Sequence, residues 1–261
     1  MAKRTTVFDL WSQKGKKKWP QTHIDTSKEA EAAYKAGIEI ISCEPDHHFK
    51  DVRKVAPTAF LSVGIKHGLV SSAQEAIKKG FEIMEMGADA IYCSHSINFI
   101  EAMAKEGIPI TAHVGLVPNL STWTNFRAVG KTAEEAFKVY QNVKDLESAG
   151  AACVEVEVVP VEIADYITKN TKMITMGMGC GDVCDTQYLF CNDILGTNKG
   201  HYPRHAKKYV DISSKEDELQ KLRVDGFKLF VDEVNNRQFP EDKHLIKMEE
   251  KELDNFLNKI K

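Results

Sequence analysis

A chain of 261 residues, 43% hydrophobic and 28% charged, has the composition of an ordinary globular protein and the length of one α/β barrel domain. A formal net charge of −3 and a pI near 6.3 argue against a polyanionic partner, so no nucleic acid is expected. No stretch approaches 18 uninterrupted apolar residues and "MAKRTTVFDLW" lacks a signal-peptide core, which predicts a cytoplasmic protein with no membrane partner.

From the N-terminus, the lysine run Lys14–Lys18 reads as a solvated face. Short apolar runs then alternate with amphipathic segments along most of the chain. Strands are predicted at 21–25, 38–43, 59–65, 90–94, 109–115, 153–159, 173–179 and 188–195. Between them, "TSKE" (26–29) and "TAEE" (132–135) are capping boxes, in which a Thr hydroxyl and a Glu carboxylate satisfy orphan helix amides. A helix from Ser71 carries Ala73, Ile77, Phe81 and Met84 at helical spacing and stops at Gly87. The glycines of "GMGCG" (177–181) follow the seventh strand, where the backbone must either approach a ligand, as in a phosphate cradle, or turn tightly. From about Ser213 the chain reads as helix, taken as the last barrel helix and an extension.

Strand–helix alternation implies right-handed βαβ units and a parallel sheet. Eight repeats in this length, with no GxGxxG, predict a (β/α)8 TIM barrel with a C-terminal helical extension: one domain, 1–261, with 236–261 as the extension. The six cysteines are expected as thiols. Cys43, Cys93 and Cys153 lie in apolar runs, and the spacing of Cys180, Cys184 and Cys191 fits no common iron–sulfur motif.

In such a barrel the chemistry sits at the C-terminal strand ends. Those ends present Asp25; Glu44, Asp46, His47 and His48; Lys66 and His67; Ser94 and His95; His113; and Glu155 or Glu157. Converging carboxylates and imidazoles suit the polarisation of a small acid or the holding of a metal. Glu155 and Glu157 alternate on one strand and therefore face the same way. If that side is the lumen, one of the pair has a raised pKa and could act as an acid. The loop "GLVPNLSTWTNFRAVG" (115–130) has a lid's composition, and Arg127 could hold a carboxylate bidentately.

"PITAHVGLVPN" (109–119), "SAGAACVEVEVVPVEIADYITKNTKMITMGMGCG" (148–181), "NDILG" (192–196) and "GHYPRHAKKYVD" (200–211) closely resemble the ketopantoate hydroxymethyltransferase family, collinearly from about Phe8 to Asp211. The resemblance implies a barrel enzyme, assembled as a homo-oligomer, commonly a decamer. Such an enzyme passes a one-carbon unit from a methylene-tetrahydrofolate to a small 2-oxo acid through a metal-bound enolate. Glu157 matches the family's proton-transfer glutamate, and His113 the histidine that meets the substrate. Other positions depart from the pattern. The family's "GDS" falls on Glu44, Pro45 and Asp46, its third-strand Asp on Gly64, and its fourth-strand Lys and Glu on Tyr92 and Ser94.

The expected site therefore has Glu157 and His113 as catalytic residues. Tyr92, Ser94, His95 and Arg127 are expected to bind a small carboxylic acid. Glu44, Asp46 and His47 are candidates for a divalent metal, with a transition metal favoured over magnesium because histidines gather where oxygen donors are lost. Use of tetrahydrofolate is left open. A lyase or hydrolase acting on a related acid, as in the phosphoenolpyruvate mutase and isocitrate lyase group, and a non-catalytic ligand-binding homologue are the alternatives.

Overall fold

In the computed structural model, which describes residues 3–46 and 49–261, eight parallel strands close into a barrel in sequence order. They are β1 (Trp19–His23), β2 (Ile40–Cys43), β3 (Phe60–Gly64), β4 (Ala90–Tyr92), β5 (Ile110–Gly115), β6 (Cys153–Glu157), β7 (Ile174–Met178) and β8 (Thr186–Phe190). Pairing of β1 with β8, from Trp19↔Thr186 to His23↔Phe190, shuts the ring and leaves no exposed sheet edge.

Around the ring run α1 (Val7–Ser12), α2 (Ser27–Lys35), α3 (Phe49–Val55), α4 (Ala73–Glu85), α5 (Ile97–Lys105), α6 (Ala133–Ser148), α7 (Val161–Asn170) and α8 (Cys191–Leu195). Thr26 and Glu29 form the full capping box at α2. At α6, Thr132 accepts from the Glu135 amide, but the Glu135 carboxylate caps Gly130 and Lys131 instead of Thr132. On α4 the fully buried residues are Ala76, Gly80 and Ile83; of the Ala73–Ile77–Phe81–Met84 stripe, Ile77 and Met84 pack partly against the core while Phe81 is 44% exposed. Gly80 shifts the contact line. A Cβ there would stand 2.9 Å from Ile108 Cδ1, so the bare backbone is what packs.

Side chains alternate across each strand. One parity (Ile41, Leu61, Val63, Ile91, Ile110, Ala112, Val154, Val156) packs outward against the helices as the main apolar core. The other parity fills the lumen. Its floor is Trp19, Ile40, Phe60, Ala90, Cys153 and Ile174, plugged from below by Leu10 of α1. Just before β4, Asp89 takes the Leu61 amide at 2.8 Å and the Arg53 guanidinium at 2.6 Å, and pairs with Arg4 at 2.6 Å.

No helix joins β7 to β8. The connection instead tucks Cys180 and Cys184 beside Gly177, where a Cβ would lie 2.7 Å from Cys184 Cβ. All six cysteines are buried free thiols. Predicted strand 188–195 is corrected at its end: β8 stops at Phe190, and 191–195 is the short α8.

Residues Asp211–Lys261 form a second compact unit, which begins before the expected extension at 236. The helix expected to close the barrel is α9 (Ile212–Asn235), and it belongs to this unit; α10 (Glu250–Lys259) follows. Among the described residues no helix is long and apolar enough to cross a membrane.

Candidate active site

Counting by twos up each strand from the lumen floor gives the barrel mouth. Next above the floor lie Gln21, Ser42, Ser62, Thr111 and Thr186, all buried. They are joined by hydrogen bonds from Gln21 Nε2 to Ser42 Oγ, Thr186 Oγ1 to Gln21 Oε1, and Ser62 Oγ to Thr111 Oγ1. Above these opens a cavity of about 190 Å3 lined by His23, Glu44, Gly64, Tyr92, His113, Glu155, Glu157, Met178, Tyr188 and Phe190, with Ser42 and Ser62 at its base. No Lys or Arg is among the described residues of this lining.

At its centre is the His113 ring, brought opposite β6 by the pairing His113↔Glu155 and Gly115↔Glu157. His113 Nε2 lies 3.2 Å from Glu157 Oε2 without making an aligned hydrogen bond, and Nδ1 lies 3.7 Å from Glu155 Oε2. The Tyr92 hydroxyl sits 2.7 Å from Nδ1 and fixes the ring. Gly115 permits the close approach of β5 to β6. Its φ is +91°, and a Cβ would fall 2.1 Å from the Glu157 carbonyl oxygen.

Burial, reinforced by Glu157 and opposed by His113, raises the Glu155 carboxyl from 4.5 to about 7. Burial and the nearby Glu155 push both the Tyr92 and Tyr188 phenols well above their usual range. His23 is lowered by burial, with Asp25 and Glu44 acting against it.

Glu44 reaches over the end of the neighbouring strand. A Cβ on Gly64 would be 3.5 Å from both Glu44 carboxylate oxygens, so this carboxylate lies in the notch where the family resemblance puts a third-strand Asp. With His23 beside it, one carboxylate and a buried imidazole make a partial donor set. That suits a divalent ion that keeps most of its waters or takes ligands from the substrate. Among the described residues, the only three-ligand cluster tight enough for an ion is Asp25, Glu29 and Cys191, with the Asp25 carboxylate 3.8 Å from His23 Nε2. There the Glu29 carboxylate is already occupied by the Thr26 and Asp25 amides.

Of the residues singled out from sequence, Glu157, Glu155, His113, Tyr92, Glu44 and Gly64 meet at the mouth. The others do not. His95 lies three residues past the end of β4; it stacks on His67 at 5.0 Å and Phe99 at 5.2 Å and lines a neighbouring cleft of about 460 Å3 beside α6 that shares His113 with the mouth. Ser94 lines that cleft too, next to the Tyr92 phenol. Arg127 is held by Glu135 in an exposed ion pair, so it does not present its fork to the mouth. Asp46 faces a small cavity of about 170 Å3 with Asp25 and Val52. His47 and His48 lie outside the described residues.

Sequence reasoning missed Ser42, Ser62, Met178, Tyr188 and Phe190. Strict counting by twos along β2, β3, β7 and β8 would have found them.

The profile of the ketopantoate hydroxymethyltransferase family matches residues 21–242. Relatives named 3-methyl-2-oxobutanoate hydroxymethyltransferase include one from Geobacillus sp. (strain WCH70), 34% identical over 84% of this chain and 78% of its own. Another, from Clostridium novyi (strain NT), is 35% identical over 76% of this chain and 74% of its own. A third, from Thermoanaerobacter sp. (strain X514), is 30% identical over 84% and 80%. Among solved structures, 2,3-dimethylmalate lyase of the PEP mutase/isocitrate lyase superfamily shares the fold, with TM-score 0.55 and 10% identity over 85% of this chain and 89% of that one. The carboxyl transferase domain of Rhizobium etli pyruvate carboxylase does so at TM-score 0.53 and 11% identity, over 72% and 42%.

Proposed function

Because the chain belongs to the ketopantoate hydroxymethyltransferase family, we propose that it makes or breaks a carbon–carbon bond next to the carbonyl of a small 2-oxo acid, through an enolate. The carrying observation is the Glu157–His113 pair at 3.2 Å in a small mouth lined by carboxylates, imidazoles and phenols. Glu157 is the base that takes the proton from the carbon beside the carbonyl, and His113 meets the oxygen on which charge develops. Tyr92 holds the ring so that Nε2 stays turned to the cavity.

A divalent ion, when bound, would supply Lewis-acid polarisation of the 2-oxo group, with Glu44 and His23 as the residues to hold it. Among its described residues the mouth has no Lys or Arg, so the substrate carboxylate finds its positive partner in such an ion or in an imidazole. A tetrahydrofolate one-carbon donor and a homo-oligomeric assembly belong to the same proposal, on the strength of the family alone.

The test is enolisation of 3-methyl-2-oxobutanoate in deuterated water, followed by proton NMR with magnesium, manganese or zinc. Exchange that vanishes in Glu157→Gln supports the reading; no exchange with any ion removes it. The missing substrate-anchoring cation favours one rival, a homologue that binds a ligand without turning it over. That rival predicts a measurable ligand affinity with no exchange.

A further inference from the structure

Glu155 has no task in the reaction just described, yet it lies among the reacting groups. The residue is 6% exposed, and its carboxyl borders the cavity one step below Glu157 on the same face of β6. The titratable groups facing it are His113 from β5, Tyr92 from β4, Tyr188 from β8, and Glu157 and Cys153 from its own strand. From β7 it meets the apolar Met176 and Met178 level, paired as Glu155↔Met176 and Glu157↔Met178. Among the described residues no lysine or arginine is paired with it. A buried carboxyl without such a partner costs stability that a Gln or Leu would not.

The His113 ring spans the two carboxyls. Nε2 is turned to Glu157 at 3.2 Å and is otherwise a buried, unpartnered nitrogen; Nδ1 faces Glu155 at 3.7 Å and the Tyr92 oxygen at 2.7 Å. We infer that Glu155 is a positioning residue that stores the proton removed by Glu157, exchanging it across the His113 ring. This rests on the proposed enolate chemistry.

The step balances without any further reactant. After Glu157 takes a proton from carbon, its O–H bond breaks as an N–H bond forms at Nε2. The N–H bond at Nδ1 breaks as an O–H bond forms on Glu155 Oε2, which stands 3.7 Å away and must close by a few tenths of an ångström for the transfer; the N–H newly formed at Nε2 is the donor that meets the enolate oxygen. Each electron pair stays with the atom the proton leaves, Glu157 is again a carboxylate, and the ring is unchanged apart from its tautomer. A carboxyl that titrates close to neutral pH can accept and return that proton with little free-energy change.

The test measures carbon–hydrogen exchange of 3-methyl-2-oxobutanoate from pH 5.5 to 9 for the wild type, Glu155→Gln and Glu155→Asp. The 15N signals of His113 are titrated in parallel. The wild-type exchange rate is expected to bend near pH 7. In Glu155→Gln that bend disappears and the rate falls roughly tenfold or more, with KM little changed, while Glu155→Asp restores a bend. A rate that falls equally at every pH with the bend intact marks a structural role and overturns the inference. If the wild type exchanges at no pH, the enolate reading has failed, and the inference is then judged on His113 alone. A 15N step near pH 7 that is lost in Glu155→Gln sustains the coupling, and the same step in both proteins refutes it.

Discussion

Replacing Glu155 by Gln removes a charge from the lumen while keeping the shape. The carboxyl is raised by burial from 4.5 to about 7, so the folded protein binds this proton more tightly than the unfolded chain. Stability from the protonated form is full below pH 4.5, declines as pH rises, and is lost once pH passes 7. At about 1.4 kcal/mol for each pH unit between those values, the wild type forfeits about 3 kcal/mol by pH 8 relative to pH 4. Glu155→Gln escapes this loss. The two proteins should therefore show similar urea midpoints at pH 5 after allowing for the substitution itself, and diverge in favour of the variant at pH 8. At about 2–4 °C per kcal/mol for a chain of this size, the melting temperature at pH 8 should rise by roughly 6–12 °C. A variant whose stability tracks the wild type at every pH, or falls below it only at high pH, would show that the carboxyl is not held neutral by burial.

Tyr92→Phe deletes the hydroxyl 2.7 Å from His113 Nδ1; thermal stability should drop by about 1 kcal/mol while exchange slows by roughly 10- to 100-fold, read by calorimetry and NMR. Gly64→Asp sets a second carboxylate in the notch that Glu44 occupies, where a Cβ has 3.5 Å of clearance. Manganese affinity by titration calorimetry should tighten roughly tenfold, whereas Glu44→Gln should lose the binding; no change in either variant removes Glu44 as a ligand. Asp89→Ala takes the counter-charge from Arg53, whose side chain is only 15% exposed and keeps its backbone carbonyl acceptors, and leaves the Leu61 amide without its acceptor. Chemical denaturation should report a loss of about 3–5 kcal/mol with no change in manganese binding.

The barrel was legible in the sequence because period-two strands separated by capped helices admit few architectures, and each of the eight predicted strands overlaps an observed one. What failed did so locally. "YLFCNDIL" is apolar throughout, and apolarity alone does not distinguish the end of β8 from the start of α8. On α4, counting apolar residues favoured Phe81, while Gly80, which has no side chain to count, marks the face that packs. At the site, Glu157 and His113 were identifiable from the motifs they sit in. His95 and Arg127 were not separable from mouth residues by type. His95, past the end of β4, is drawn aside by stacking on Phe99 of α5, and the Arg127 fork is taken up by Glu135 at the start of α6. The proximity of Glu44 to Gly64 had no sequence signal, since it depends on which strand ends become neighbours.

That neighbour relation has a wider consequence. In a closed ring every strand end is flanked by two others about 5 Å away, so a functional group can migrate sideways, onto the adjoining strand, by gaining one methylene. Column-by-column comparison scores such a move as two unrelated losses. In three dimensions it is a transfer, and barrels judged inactive for want of a conserved acid are worth searching one strand over.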